Sequence, residues 1–137
     1  MIKIKIVKND VSTVAKIVII DEKSRILMLK RSDYVLKYAG EWDLPGGHLK
    51  EEEHLLGGLE RETFEETGLK ISDPVYIQNI KNLFFFYCSY DSQPVNLSHE
   101  HVEYKFFEKE ELDSSQKFQK VALKALEIKS IKNGEEP

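Results

Sequence analysis

Three carboxylates at close helical spacing stand out in this chain: Glu62, Glu65 and Glu66. At offsets i, i+3 and i+4 they share one helical face within roughly 100° of arc. Like charges at those offsets destabilise a helix by about 0.2–0.5 kcal/mol per pair. A hard divalent cation such as Mg²⁺ takes oxygen ligands and removes the repulsion, so the pattern fits metal chemistry better than helix stability. Between Lys50 and Glu66 seven acids face two bases, a local charge of −5, whereas the whole chain is −4. The rest of the protein is therefore nearly neutral. A solvated acidic helix is the plain alternative. Against it, Arg61 sits inside the block, and Leu55, Leu56 and Leu59 give the same helix an apolar side to dock on a core.

The elements that must position these groups follow from the flanking residues. Pro45-Gly46-Gly47 makes a turn before the helix, and paired glycines let backbone approach a ligand, so the Gly47 carbonyl is a further candidate ligand. Gly68 ends the helix, since glycine takes the left-handed stop conformation cheaply. Gly57-Gly58 inside it costs about 1 kcal/mol per glycine relative to alanine, which close approach of another backbone would explain.

The spacing Gly47, five residues, Glu53, seven residues, Arg61-Glu62-Thr63, one residue, Glu65-Glu66, one residue, Gly68-Leu69 resembles the Nudix box of Nudix hydrolases. Every charged and glycine position of that signature is filled. Thr63 departs from the usual aliphatic residue but can pack through its methyl. Lys50 and Glu52 stand where relatives often carry Glu and Gly. The resemblance implies an α+β fold of the Nudix type, a mixed central sheet in an α/β/α sandwich, over one domain spanning residues 1–137. It also implies Mg²⁺, with Mn²⁺ as a substitute, and hydrolysis of a nucleoside diphosphate linked to another moiety. Diphosphate phosphorus is shielded by negative oxygens, and a divalent ion neutralises that charge and activates water. Glu62, Glu65 and Glu66 are the implied metal ligands, Glu62 and Glu66 foremost. Glu53 is either a further ligand or the group that orients Arg61, which would in turn hold a glutamate in place. Glu100, before a late strand, matches the position of an extra ligand or base, with Glu103 second. The general base stays open between Glu62 and Glu100.

Along the chain, Ile2 to Ile6 alternates as a half-buried strand and Asn9-Asp10 is a turn. Val14 to Ile20 reads as a central strand, Asp21 to Ser24 as a hairpin turn, and Ile26 to Leu29 as its partner. Lys30 and Arg31 end that strand, as a solvated edge or as phosphate contacts. Arg31 is preferred for its planar fork, and the resemblance favours the phosphate role. Tyr34, Tyr38 and Trp42 flank the following loop as core or base-stacking aromatics, with the core reading safer for Trp42. Trp42 to Leu44, Val75 to Ile80, Leu83 to Tyr90 and the second half of Ser98 to Phe107 read as strands, and Leu69 to Ile71 as a brief extended piece. The two histidines and two glutamates of that last segment invite zinc, but no cysteine or helical spacing supports it. Glu110-Glu111-Leu112 resembles the turn that follows in relatives. Ser114 or Ser115 caps a last helix running to about Lys132, whose inner stripe is Phe118, Val121, Ala122, Ala125 and Leu126, with its lysines in water. Asn133-Gly134 stops it, and the last three residues form a frayed tail.

Composition excludes several classes. At 137 residues, 41% hydrophobic and 32% charged, the chain describes an ordinary single domain. Its acidic balance gives no basic footprint for nucleic acid. No apolar run approaches the ~20 residues of a membrane span, and no secretory signal is read, so a cytoplasmic location is expected. The lone Cys88 permits no intrachain disulfide and reads as a buried small hydrophobe. The expected partner is a small nucleotide diphosphate; a homodimer stays open. Among substrates, a proline about 15–16 residues after the box would favour ADP-ribose, but Phe84 and Phe85 stand there. Tyr87, 18 residues after Leu69, slightly favours dinucleoside polyphosphates as a substrate contact, and nucleoside triphosphates remain equally open. Two rivals are an isopentenyl diphosphate-type isomerase, which would need Cys88 near the site, and a Nudix-like binding or sensor module, which would usually have lost box glutamates.

Overall fold

A computed structural model of the protein describes residues 13–33 and 38–134. The expected strand Ile2 to Ile6, the turn at Asn9-Asp10, Tyr34 and the C-terminal three residues lie outside them. The elements are β1 (Val14–Ile20), β2 (Ile26–Arg31), β3 (Trp42–Asp43), β4 (Gly46–His48), α1 (Leu55–Thr67), β5 (Val75–Ile80), β6 (Leu83–Ser89), β7 (His101–Phe107) and α2 (Lys117–Lys132). The strands form one mixed sheet. Its path runs β3-β2-β1-β6-β5, with β4 also on β1 and β7 also on β2. β1 and β6 run parallel from Val14↔Leu83 to Ile20↔Ser89, and the other pairings are antiparallel.

Period-two alternation sorts side chains to the two faces. Ile17 and Ile19 of β1, with Phe86 and Cys88 of β6, join Leu27, Leu29 and Leu59 in a core under α1. Val18, Ile20, Phe85 and Tyr87 point the other way, into a core with Ile26, Met28 and Phe107, closed by Val121, Ala122 and Ala125 of α2. The stripe expected on the last helix is thus the face that docks. The helix–sheet–helix sandwich expected from the order of elements is the observed one. Among the described residues, no helix is long and apolar enough to cross a membrane.

Three local expectations are corrected. Gly46-Gly47 is part of a strand as well as a turn: Val14, Ala15 and Lys16 pair with His48, Gly47 and Gly46. Gly46 adopts φ 122°, and a Cβ there would run into the Ala15 carbonyl, so only glycine fits. Neither Ser114 nor Ser115 caps α2. Gln116 holds the cap position without a side-chain bond, because Ser115 gives its N–H and hydroxyl to Asp113 Oδ1 at 2.9 and 2.7 Å. Gly58 is explained by a side chain and not a backbone, since a Cβ there would lie 2.5 Å from Leu49 Cγ. Nothing in the structure explains Gly57.

Candidate metal and diphosphate site

The helix α1 has no side-chain N-cap, and Gly68 ends it at φ 76° with its N–H on the Phe64 carbonyl. Its buried residues Leu59, Thr63 and Glu66 share the face that lies on the sheet. Thr63, the position that departs from the box, is wholly buried, and its hydroxyl oxygen has no hydrogen-bond partner among the described residues. Glu66 is brought beside β4, where Gly46 N–H donates to its Oε1 at 3.0 Å. Burial pushes its carboxyl up to about 8, with Asp43 and Glu62 adding to the rise and Lys16 and the Gly46 bond opposing it. Glu62 lies next to Gly47, where a Cβ would collide with the Glu62 carboxylate. The glycine keeps open the approach between that carboxylate and the β4 backbone.

Arg61 draws the remaining box acids together. Its Nε donates to Glu53 Oε2 at 2.7 Å and its Nη2 to Glu53 Oε1 at 2.9 Å, a two-point grip. Its Nη1 is shared between Glu62 Oε2 at 3.0 Å and Glu65 Oε1 at 3.1 Å. Lys50 N–H also reaches Glu53 Oε1 at 2.8 Å. The Arg61 bonds, foremost, and this backbone bond hold the Glu53 carboxyl down at about 2. The same carboxylates raise Arg61 above its ordinary value. Both Glu53 oxygens are thus engaged by Arg61.

An open cleft of about 890 Å³ runs past this face and is lined by Glu62, Glu66, Gly46, Gly47 and Glu100 on one side. Its floor holds a group that sequence reading missed. Lys16 Nζ donates to Asp43 Oδ2 at 3.2 Å, and Arg31 Nη1 donates to the same oxygen at 3.3 Å. His101, only 3% exposed, puts Nε2 3.6 Å from Asp43 Oδ2, beyond hydrogen-bond reach, and neither of its ring nitrogens has a hydrogen-bond partner among the described residues. Burial pushes the Asp43 carboxyl up, but Lys16, with His101 behind it, more than offsets this and leaves it below the ordinary range. Two cations thus share one carboxylate in the same cleft as the acidic face. Lysine at the third position of an otherwise β-branched and apolar strand was the one available signal.

The other expected residues are placed as follows. Glu100 is exposed at the rim of the cleft, and its carbonyl accepts the Ser32 N–H at 2.8 Å. Glu65 is 54% exposed and does not line the cleft. Lys30 is half-buried between Trp42 and Glu103 on neighbouring strands, outside the cleft lining. Tyr87, expected to touch substrate, is instead buried in the α2-side core beside Val18. Trp42 packs its ring edge-on against Phe107, 5.0 Å between centroids, and also lines the cleft with exposed Tyr38. Cys88 lies in the α1-side core away from the cleft, its thiol pushed up to about 12 by burial, which removes the feature the isomerase reading needs.

The residues fit a divalent cation, although among the described residues no three His, Cys, Asp or Glu side chains already converge on one point. Arg61 holds Glu62 and Glu65 in this arrangement. Glu66 is a buried carboxylate with only one bonded N–H, and the side-chain-free Gly47 lies against Glu62. A hard cation between them would supply the missing positive charge.

Residues 11–127 match the NUDIX domain family model. A MutT-like protein of Streptomyces ambofaciens is 39% identical over 54 residues, 39% of this chain and 32% of that one. An 8-oxo-dGTP diphosphatase of Buchnera aphidicola is 40% identical over 76 residues, 50% of this chain and 56% of that one. The chain thus spans between a third and just over half the length of these relatives. Among solved structures, the MutT protein of Methanosarcina mazei superposes with a TM-score of 0.68 at 27% identity, covering 87% of this chain and 94% of that one. With the family model covering the box, the sheet and most of α2, the chain belongs to the NUDIX domain family.

Proposed function

We propose that this chain is a Mg²⁺-dependent hydrolase, a single catalytic domain that cleaves the pyrophosphate linkage of a nucleoside diphosphate derivative, with nucleoside triphosphates the first substrates to try. The observation that carries the reading is Glu66: a carboxylate 5% exposed, fixed by Gly46 N–H, lining one cleft with Glu62, Lys16 and Arg31. A carboxylate buried this deeply is costly unless a cation meets it. The likeness to the Buchnera diphosphatase supports the choice of triphosphates.

The Gly47 carbonyl, Glu62 and Glu66 would hold the cation, with Glu65 and Glu100 at its exposed side. When bound, it neutralises the diphosphate oxygens and makes an adjacent water more acidic. Arg61, anchored by Glu53, sets the direction of the Glu62 carboxylate. Arg31, which lines the cleft, would bind a phosphate oxygen. Trp42 and Tyr38 offer ring faces for a base at the cleft's wall. Water attacks one phosphorus, the bond from that phosphorus to the bridging oxygen breaks, and the leaving phosphate keeps the electron pair. The water proton passes to Glu62 or Glu100.

A panel of nucleoside triphosphates, dinucleoside polyphosphates and nucleotide sugars, incubated with Mg²⁺ and read by chromatography of the nucleotide products, tests this. The expected result is a nucleoside monophosphate from at least one class. Tight nucleotide binding with no cleavage of any of them would identify a binding module instead.

A further inference from the structure

We propose that Lys16 is a positioning residue that fixes Gly46, and through it Glu66, in the geometry that grips the cation; this rests on the metal-dependent reading above. Lys16 is 7% exposed in the middle of the sheet, a position where an ammonium is costly unless its donors are used. Its Nζ has three, and all three go to one short segment: Asp43 Oδ2 at 3.2 Å, the Leu44 carbonyl at 3.1 Å and the Gly46 carbonyl at 3.0 Å. The backbone of the same strand fastens that segment again. Lys16 pairs with Gly46 across the β1–β4 ladder, and Ile17 N–H donates to the Pro45 carbonyl at 2.9 Å.

The pattern has a direction. The Gly46 N–H lies between the two carbonyls that the ammonium holds, and that N–H is the one given to Glu66 Oε1 at 3.0 Å. Gly46 carries no side chain to limit its own rotation and sits at φ 122°, outside the range that side-chain-bearing residues prefer. The Pro45–Gly46 peptide that carries this N–H is held at its own carbonyl by Ile17, and the peptides before and after it are held by the Lys16 ammonium. Asp43 anchors the stem end of the device, shared with Arg31. A lysine serving only as the counter-charge of Asp43 would need one of these bonds, not three.

Mn²⁺ binding, measured by calorimetry on the full chain, tests this through a double-mutant cycle of Lys16→Met and Glu66→Gln. Loss of a group that orients a metal ligand commonly costs 10–100-fold in affinity. Lys16→Met in the wild-type background is expected to weaken Mn²⁺ binding by about tenfold or more. In the Glu66→Gln background it is expected to change affinity less than about threefold, because the ligand it positions is already altered. Wild-type affinity in Lys16→Met, or the same loss in both backgrounds, overturns the proposal. Wild-type protein that binds no Mn²⁺ and cleaves no nucleotide would instead overturn the underlying reading. A second measurement needs no variant and so survives any folding defect in Lys16→Met. In nitrogen-15 spectra of the wild type, Mg²⁺ saturation is expected to shift the Lys16 ammonium and Gly46 amide signals together. A Gly46 shift with Lys16 unmoved counts against the proposal.

Discussion

Replacing Glu66 by glutamine separates the electrostatic cost of the site from its use. In the metal-free protein the Glu66 carboxyl titrates near 8, against an ordinary 4.5, because burial disfavours its charge. The folded state therefore binds a proton more tightly than the unfolded chain does between those two values. Stability falls as pH rises through that window, the opposite sense to a salt-bridged carboxylate. At about 1.4 kcal/mol per pKa unit, the penalty grows from under about 1 kcal/mol at pH 5 to about 4 kcal/mol at pH 8. Glutamine keeps an oxygen for the Gly46 N–H but does not titrate. Whatever fixed cost its amide brings is the same at both pH values. The melting temperature of Glu66→Gln relative to wild type should thus rise by about 3 kcal/mol of stability between pH 5 and pH 8, roughly 10 °C for a chain of this size. Thermal melts of both proteins in chelator measure it. Adding Mg²⁺ at pH 8 should raise the wild-type melting temperature by more than it raises that of the variant. A gap that stays constant across pH, or a variant stabilised by Mg²⁺ as much as wild type, would refute the reasoning.

Four substitutions probe the scaffold. Gly57→Ala and Gly58→Ala make an informative pair, since each gains about 1 kcal/mol of helix propensity. At Gly57 the new methyl meets nothing nearer than His54 Cβ at 4.0 Å, so thermal melting should show stabilisation, whereas at Gly58 it meets Leu49 Cγ at 2.5 Å and should destabilise. Glu52 sits at φ 67°, a left-handed conformation that costs a residue with a side chain roughly 1–2 kcal/mol. Glu52→Gly should raise stability by about 1 kcal/mol in chemical denaturation with activity unchanged. Thr63→Val removes a buried hydroxyl without a partner while keeping shape, and should stabilise by about 1 kcal/mol in the same assay.

Much of this molecule could be read from local pattern. The β-branched run Val14–Ile20 is a central strand, and Gly68 stops α1 where expected. Glu62 and Glu66 stand on one helical face because 3.6-residue geometry leaves no alternative. What could not be read depends on pairing between distant strands. Tyr87 belongs to a run of aromatics that alternate faces, and only the parallel β1–β6 pairing decides that it goes to the core with Val18 while Phe86 goes under α1. Lys16 and Asp43 are 27 residues apart and each looks like an ordinary surface charge until the sheet buries both. His101, in a segment read for zinc or for its neighbouring glutamates, belongs to the same buried group. The place of Glu52 was legible only as a departure from the box, and its positive φ now gives that departure a physical meaning.

The central claim is that the acidic face of α1 holds a divalent cation against a pyrophosphate linkage and breaks it. Phosphorus-31 spectra of a nucleoside triphosphate incubated with wild type or Glu66→Gln, each with Mg²⁺ and with chelator, test that claim most directly. The account predicts pyrophosphate and monophosphate signals only from wild type with Mg²⁺. Cleavage at the wild-type rate by Glu66→Gln, or by wild type in chelator, would contradict it.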